Sequence, residues 1–233
     1  MGDHILQEQV EYYRARANEY DEWFLRQGRY DRGPAHRTAW FDELAVVEAA
    51  LAQELQSGEV LELACGTGLW TQHLARRHSR VLAVDASPEV IAVNRRRVQS
   101  DAVEYVVADL FTWDPGARFD AVFFGFWLSH VPPERFVAFW NLVRSCLAPG
   151  GRVFFVDSRR EPTSTAVNHR LPEPDSIVGR RRLNDGREFH VYKIFYEPEH
   201  LTSRLRQLGW QFEIQQTDHY FLYGSGEPND LRT

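Results

Sequence analysis

A chain of 233 residues is long enough to bury one sizeable core and too short for two comfortable domains. With 33 acidic against 27 basic residues it carries a net charge of −6, the wrong sign for a protein built to grip a phosphate backbone. Cys65 and Cys146 supply no disulfide framework, the first residues lack a secretory pattern, and no stretch approaches ~20 apolar residues, so the expectation is a cytoplasmic protein with no membrane or nucleic-acid partner.

From about Leu6 to Glu54 the sequence reads as helical. Tyr12, Arg16 and Tyr20 fall on one face at i, i+4 and i+8, and a second helix is expected over WFDELAVVEAALAQEL. Between them RQGRYDRGPAHR, charged and carrying glycines and a proline, reads as a loop. Residues 1–57 thus form an N-terminal helical cap. From Gly58 the texture changes: VLELA, VLAVD, VEYVVAD, FDAVFFGFW and RVFFVDS are short apolar runs, interleaved with the helical WTQHLARRH, PEVIAVNRRRV and PERFVAFWNLVRSCL. That alternation predicts an α/β fold, a mostly parallel sheet with helices on both faces, over residues 58–158. Residues 159–233 add a loop, the strand REFHVYKIFY on the acceptor side, the helix EPEHLTSRLRQLG stopped by Gly209, and a closing pair WQFEIQQ and DHYFLYGS that brings the sheet to seven strands. The 233 residues are read as a single domain. Monomer and homodimer remain equally open.

The segment Val60-Leu-Glu-Leu-Ala-Cys-Gly-Thr-Gly-Leu-Trp70 places a Gly-x-Gly turn between a strand and a helix. Glycines at 66 and 68 let the backbone turn tightly and let a ligand lie against it. A lone Gly-x-Gly is weak, but Asp85 ends the next strand, 23 positions after Glu62, where a carboxylate meets a ribose diol. Asp109 ends the third, followed by Leu110 and Phe111, a setting for an adenine amino group and its ring. A nicotinamide dehydrogenase would call for a third glycine where Thr71 stands.

ELACGTG, AVDAS, ADLF, FDAVFF and LAPGG follow one another in the order and spacing of the class I S-adenosylmethionine-dependent methyltransferases, which this stretch resembles over roughly residues 58–158. The resemblance implies a Rossmann-like domain binding S-adenosylmethionine, with S-adenosylhomocysteine as product. It puts Glu62, Ala64 and Gly66 at the methionine end with Thr67, Gly68 and Trp70 beside them, Asp85 and Ala86 at the ribose, Asp109, Leu110 and Phe111 at the adenine, and Phe126 near the sulfonium. In such enzymes helices before the core close over the cofactor. Tyr12, Arg16 and Tyr20 would then present hydroxyls and a guanidinium to the methionine carboxylate.

For the methyl acceptor two features stand out. His130 follows the fourth strand, where it would act as a general base or anchor the loop before Pro132. Arg180, Arg181 and Arg182 precede an Asn184-Asp185-Gly186 hairpin tip, and Lys193 follows on the returning strand, sharing a face with Val191 and Phe195. YYRARAxEYD, GTGxWTxHL, DAVFFxxWLxHVPxxRFxAFW and RxLxDGRxFxxxKxF resemble the phosphonate O-methyltransferases of antibiotic biosynthesis, over nearly the whole chain. That likeness implies a small anionic acceptor held by Arg181, Lys193 and Tyr30, although the loop around Tyr30, with His36 and Arg37, is longer than in those relatives. Trp127 and Trp140 are read separately as core and pocket wall rather than a ligand cage, Trp127 on the acceptor side. Alternatives are methylation of a neutral hydroxyl or amine with His130 as base, a nucleic-acid methyltransferase, whose Asn/Asp-Pro-Pro-aromatic signature is missing from GFWLSHVPPERF, and a non-catalytic cofactor-binding protein. No metal is expected: the histidines show no ligand spacing.

Overall fold

The structure, a computed structural model, describes residues 2–56 and 58–229. The cap–core boundary expected at residue 57 lies outside the described residues, as do the expected domain ends at 1 and 230–233. The core is a seven-stranded sheet in the order β3-β2-β1-β4-β5-β9-β8: β1 Glu59–Leu63, β2 Arg80–Asp85, β3 Val103–Val107, β4 Phe119–Gly125, β5 Leu147–Ser158, β8 Trp210–Gln216 and β9 Phe221–Pro228. The first five strands are parallel; β9 runs antiparallel between β5 and β8. This is the Rossmann-like sheet anticipated from the alternating runs. Val60 to Leu63 of β1 are all buried because both faces are covered, which explains an apolar strand without alternation.

The helices follow local chemistry. In α5 (Pro88–Val98) the Ser87 side chain accepts from Val90 N at 3.2 Å, Pro88 sits where no N–H is needed, and Arg95, Arg96 and Arg97 meet the negative end of the helix dipole. The helix α7 (Pro198–Gln207) ends before Gly209, whose φ of 75° takes the left-handed position that glycine tolerates. The sheet is flanked on one side by α3 (Pro34–Glu54), α4 (Thr71–Ala75) and α5, and on the other by α6 (Phe136–Ser145) and α7, with Trp40 and Trp140 fully buried in the two resulting cores.

Several element bounds differ from the sequence reading. The expected N-terminal helix breaks: α1 runs Gly2–Arg16, a turn intervenes, and α2 covers Tyr20–Phe24. Tyr12 and Tyr20 therefore do not lie on one continuous helical face. The loop expected through Arg37 ends at Gly33, since Pro34 suits the first helical position and starts α3. Asp109 lies two residues past β3 rather than at its end. The acceptor-side hairpin, β6 (Val178–Arg182) with β7 (Glu188–Tyr192), forms its own two-stranded sheet and stops one residue before Lys193. The face expected to be shared by Val191, Lys193 and Phe195 is thus interrupted, because Lys193 N donates to Ile177 O and Ile194 N to Ser129 O.

The cap is sewn to that hairpin. Gln9 accepts from Tyr192 N at 3.0 Å and donates to His130 O at 3.2 Å, while Tyr12 packs on Leu183, Phe189 and Val191. The helix α2 is held to the Gly-x-Gly turn: Thr67 Oγ1 donates to Asp21 at 2.7 Å, and Arg97 pairs with Asp21 and donates to Thr67 O at 2.7 Å.

Candidate active site

At the C-terminal tips of β1, β2 and β4 the backbone opens a cavity of about 580 Å³, roofed by α1. A crevice at strand C-termini is where open α/β sheets bind ligands. Ala64 and Phe126, just past β1 and β4, both hold left-handed conformations (φ 54° and 55°), an uncommon state for residues with a Cβ and one that gathers at functional sites. A Cβ added to Gly66 would meet nothing within 4 Å, so this glycine keeps a face of the cavity open. Gly68 does something else. A Cβ there would strike Asn94 Oδ1 at 2.5 Å; its smallness lets α5 approach, and Asn94 in turn donates to Gly66 O and Thr71 Oγ1.

Asp85 lines the cavity, with Oδ2 accepting from Gly66 N at 3.0 Å and Oδ1 from Ser87 N at 2.9 Å. Burial raises its carboxyl above the ordinary value while these backbone donors pull it down. Each oxygen keeps a lone pair for a hydroxyl donor. Ala86, Asp109, Leu110 and Phe111 line the same cavity, and Asp109 Oδ1 caps Phe111 N at 3.0 Å. Trp127, expected on the acceptor side, lies here instead, its ring 5.8 Å from that of Phe111.

Glu62 sits 1% exposed in a small annexe lined also by Thr67, Trp70, Tyr20, Ala64 and Gly66. Burial pushes its carboxyl up to about 8, opposed by the Thr71 hydroxyl, and Oε2 has no partner. An orphaned buried acceptor beside an open glycine, with a carboxylate for a diol further along, fits an amino-acid head attached to a nucleoside. The donor set therefore fits S-adenosylmethionine.

A second, smaller cavity of about 60 Å³ abuts the first; Tyr13, Tyr20, Phe126 and His130 line both. It brings together three residues far apart in sequence: Tyr30, Arg181 and Lys193. Tyr30 is 3% exposed and its hydroxyl accepts from Arg16 at 3.3 Å. Lys193 is buried, with Nζ reaching Ser129 Oγ at 2.8 Å, Ser158 Oγ at 3.2 Å and Asp157 Oδ1 at 3.3 Å. Burial pulls its ammonium below the ordinary value, and Asp157 counters this. Among the described residues no carboxylate pairs with Arg181.

His130 occupies the wall between the cavities. Its Nδ1 lies 2.5 Å from Tyr192 O, which only accepts, so the proton sits on Nδ1. Burial, with Lys193 and Arg181 nearby, holds the imidazole well below its ordinary pKa, so Nε2 is bare and accepts from the Tyr13 hydroxyl at 2.8 Å.

The cap departs most from the sequence reading. Tyr12 turns away from the cofactor cavity into the hairpin, and Arg16 lines the smaller cavity rather than the larger one. Tyr13, one residue on, takes the place expected of Tyr12, because Leu6, Val10 and Tyr13 at i, i+4 and i+7 form the stripe facing the cofactor cavity. That stripe was available in the sequence. Ser87, which lines the larger cavity, and Ser158 and His169, which line the smaller one, carried no such signal. His36 and Arg37 fall in the first turn of α3, with Arg37 paired to Asp31 at 2.9 Å. Among the described residues no cluster of His, Cys, Asp or Glu is arranged to hold a metal ion, and no helix is long and apolar enough to cross a membrane.

The methyltransferase-domain family profile matches residues 60–151. The ubiquinone biosynthesis O-methyltransferase of Xanthomonas euvesicatoria pv. vesicatoria is 34% identical over 172 residues, 69% of this chain; the matched region spans 65% of that relative's length. Two solved structures extend over nearly the whole chain at 40% identity. The DhpI–SAH complex covers 97% of this chain and 98% of its own (TM-score 0.78), and the DhpI–SAM–HEP complex covers 96% and 98% (TM-score 0.78). Strand tips, open glycine, ribose-side carboxylate and full-length likeness agree, and the chain belongs to the class I S-adenosylmethionine-dependent methyltransferases.

Proposed function

We propose that this protein transfers a methyl group from S-adenosylmethionine to an oxygen of a small acid, a phosphonate or carboxylate, bound as its oxyanion. The observation that carries the reading is the meeting of Arg181, Lys193 and Tyr30 in one cavity that shares a wall with the cofactor cavity. DhpI, 40% identical, has been solved with SAM and HEP together, and the ubiquinone relatives are named as O-methyltransferases, which supports oxygen as the nucleophile.

When bound, S-adenosylmethionine supplies an electrophilic methyl on a sulfonium. Asp85 would hold the ribose, Asp109, Leu110 and Phe111 the adenine, and Glu62 with Gly66 the amino-acid end. Arg181 offers a planar fork to an acid group, and Tyr30 a hydroxyl. Lys193, fixed by Ser129, Ser158 and Asp157, sets a positive potential in the cavity rather than swinging freely. Phe126, Tyr13 and Tyr20 close the shared wall against water, so that holding the two reactants in line supplies much of the rate. An ionised acid needs no base. His130, neutral and occupied by Tyr13 and Tyr192, orients the wall. The two unpaired, buried cysteines agree with a reducing cytoplasm as the working compartment.

One observation favours a second reading, methylation of a neutral hydroxyl: His130 lines both cavities, and its unprotonated Nε2 already accepts from a hydroxyl, that of Tyr13. The test is turnover with S-adenosylmethionine against a panel of phosphonates, carboxylates and phenols, read by mass spectrometry. Methyl esters of acids are the expected products. Phenol ethers alone, with a kcat abolished by His130→Gln, would overturn the acid reading. Cofactor binding without turnover of any panel member would favour a non-catalytic binding protein.

A further inference from the structure

We propose that Arg16 is a ligand for the acceptor's acid group, so that acceptor binding also fastens α1 over the cofactor. The inference rests on the anionic-acceptor reading above.

The Arg16 side chain is 7% exposed and lines the acceptor cavity. Three tyrosine rings surround its guanidinium, with centroids at 5.0 Å (Tyr20), 5.5 Å (Tyr12) and 5.9 Å (Tyr30). One terminal nitrogen donates to the Tyr30 hydroxyl at 3.3 Å, and Nε has no partner. Among the described residues no carboxylate pairs with it. A guanidinium does not shed its proton, so the charge persists in the interior. Aromatic faces offset part of the cost of burying it; a bound anion beside it offsets the rest. Arg181 lines the same cavity and also lacks a carboxylate partner, whereas Lys193 already has Asp157. The two guanidinium groups are therefore the uncompensated charges of the cavity, and together they bracket one acid group.

Arg16 is also the last residue of α1, the helix whose stripe of Leu6, Val10 and Tyr13 roofs the cofactor cavity. An anion that holds Arg16 holds the roof. Linkage then requires the acid to tighten the cofactor product by the same factor that the product tightens the acid.

The test is calorimetric titration of the full chain with S-adenosylhomocysteine, with and without saturating methylphosphonate. For the wild type, methylphosphonate should tighten the product by about fivefold or more. Arg16→Gln should leave product affinity without acid within about threefold, weaken methylphosphonate by about tenfold or more, and abolish the coupling; Arg16→Lys should restore part of the acid binding. Product affinity falling in Arg16→Gln without acid as far as acid affinity does would assign Arg16 to the cofactor's carboxylate and overturn the proposal. Unchanged acid binding in that variant would overturn it equally while leaving the acid reading intact. A wild type that binds neither methylphosphonate nor acetate would instead bring down the acid reading itself. Should Arg16→Gln not fold, hydrogen exchange on the wild type decides: with product bound, methylphosphonate should slow exchange of the amides of Leu6–Arg16, and no change there overturns the proposal.

Discussion

The two cavities that share Tyr13, Tyr20, Phe126 and His130 are built in opposite ways. On the cofactor side Glu62, Gly66, Asp85 and Asp109 lie in or just past strands of one parallel sheet, within a stretch of 48 residues, Glu62 to Asp109, so their placement is largely backbone geometry. The acceptor side is assembled from α1, the turn around Tyr30, the end of β5 and the hairpin, segments separated by more than 160 residues from Tyr13 to Lys193. Backbone fixes the first; side-chain charge fixes the second. A site made of backbone fails when a Cβ intrudes, and a site made of charge fails when a counter-ion is lost.

The sharpest way to break this contrast is Gly66→Val. A branched side chain would enter the cofactor cavity from a position with φ of +55°, and S-adenosylhomocysteine binding should vanish in calorimetry. Retained binding would mean the nucleoside does not lie at the strand tips. Next in size, Lys193→Met leaves the Asp157 carboxylate buried without its cation and should cost about 3–5 kcal/mol in urea unfolding, as well as weakening acid binding. Adding Asp157→Asn should recover part of that stability, which would separate the structural role of the pair from its role toward the acceptor.

The hairpin offers a smaller test between adjacent residues. Arg181→Gln should raise the acceptor KM about tenfold, the loss of one charge-assisted contact, whereas Arg180→Gln, whose partner is the exposed Glu188 at 3.2 Å, should change KM and stability little. The mildest effect is graded with pH. Burial, with Arg181 close by, holds His169 down at about 4, and His130 lies well below its ordinary value for a similar reason. The unfolded chain protonates these imidazoles below about 6.5 while the folded chain does not, so it binds more protons and stability should fall as the pH drops from about 6.5 towards 4. His169→Gln should flatten that slope in urea titrations at successive pH values. An unchanged slope would mean that burial and the neighbouring guanidinium groups do not depress His169.

The same contrast explains what the sequence disclosed. The order of strands and helices and the cofactor motif were legible because each lies in contiguous sequence with a periodicity or a turn residue to mark it; the run PEVIAVNRRRV announced α5, and Gly209 the end of α7. The cap was misread by one helical phase. Treating residues 12–20 as continuous helix put Tyr12 with Tyr20, but the turn after Arg16 takes Tyr20 off that face; within α1, Tyr13 lines both cavities and Arg16 the smaller one. Nothing local marks that break, since Ala17, Asn18 and Glu19 include no proline or glycine. Lys193 was legible as a cation among apolar neighbours, but its pairing with Asp157 of β5, 36 residues away, is tertiary information.

The last strand of the sheet to be made has a place in its interior. Phe221–Pro228 slots between β5 and β8, and its Phe221 and Leu222 pair with Ser158 and Asp157, the two β5 residues that hold the lysine ammonium. During synthesis, therefore, the nucleoside-binding half has its strands in hand early, while the edge of β5 waits uncovered until residues 221–228 have emerged. Removing that strand would not trim a border but split the sheet, and the charge arrangement around Lys193 would go with it.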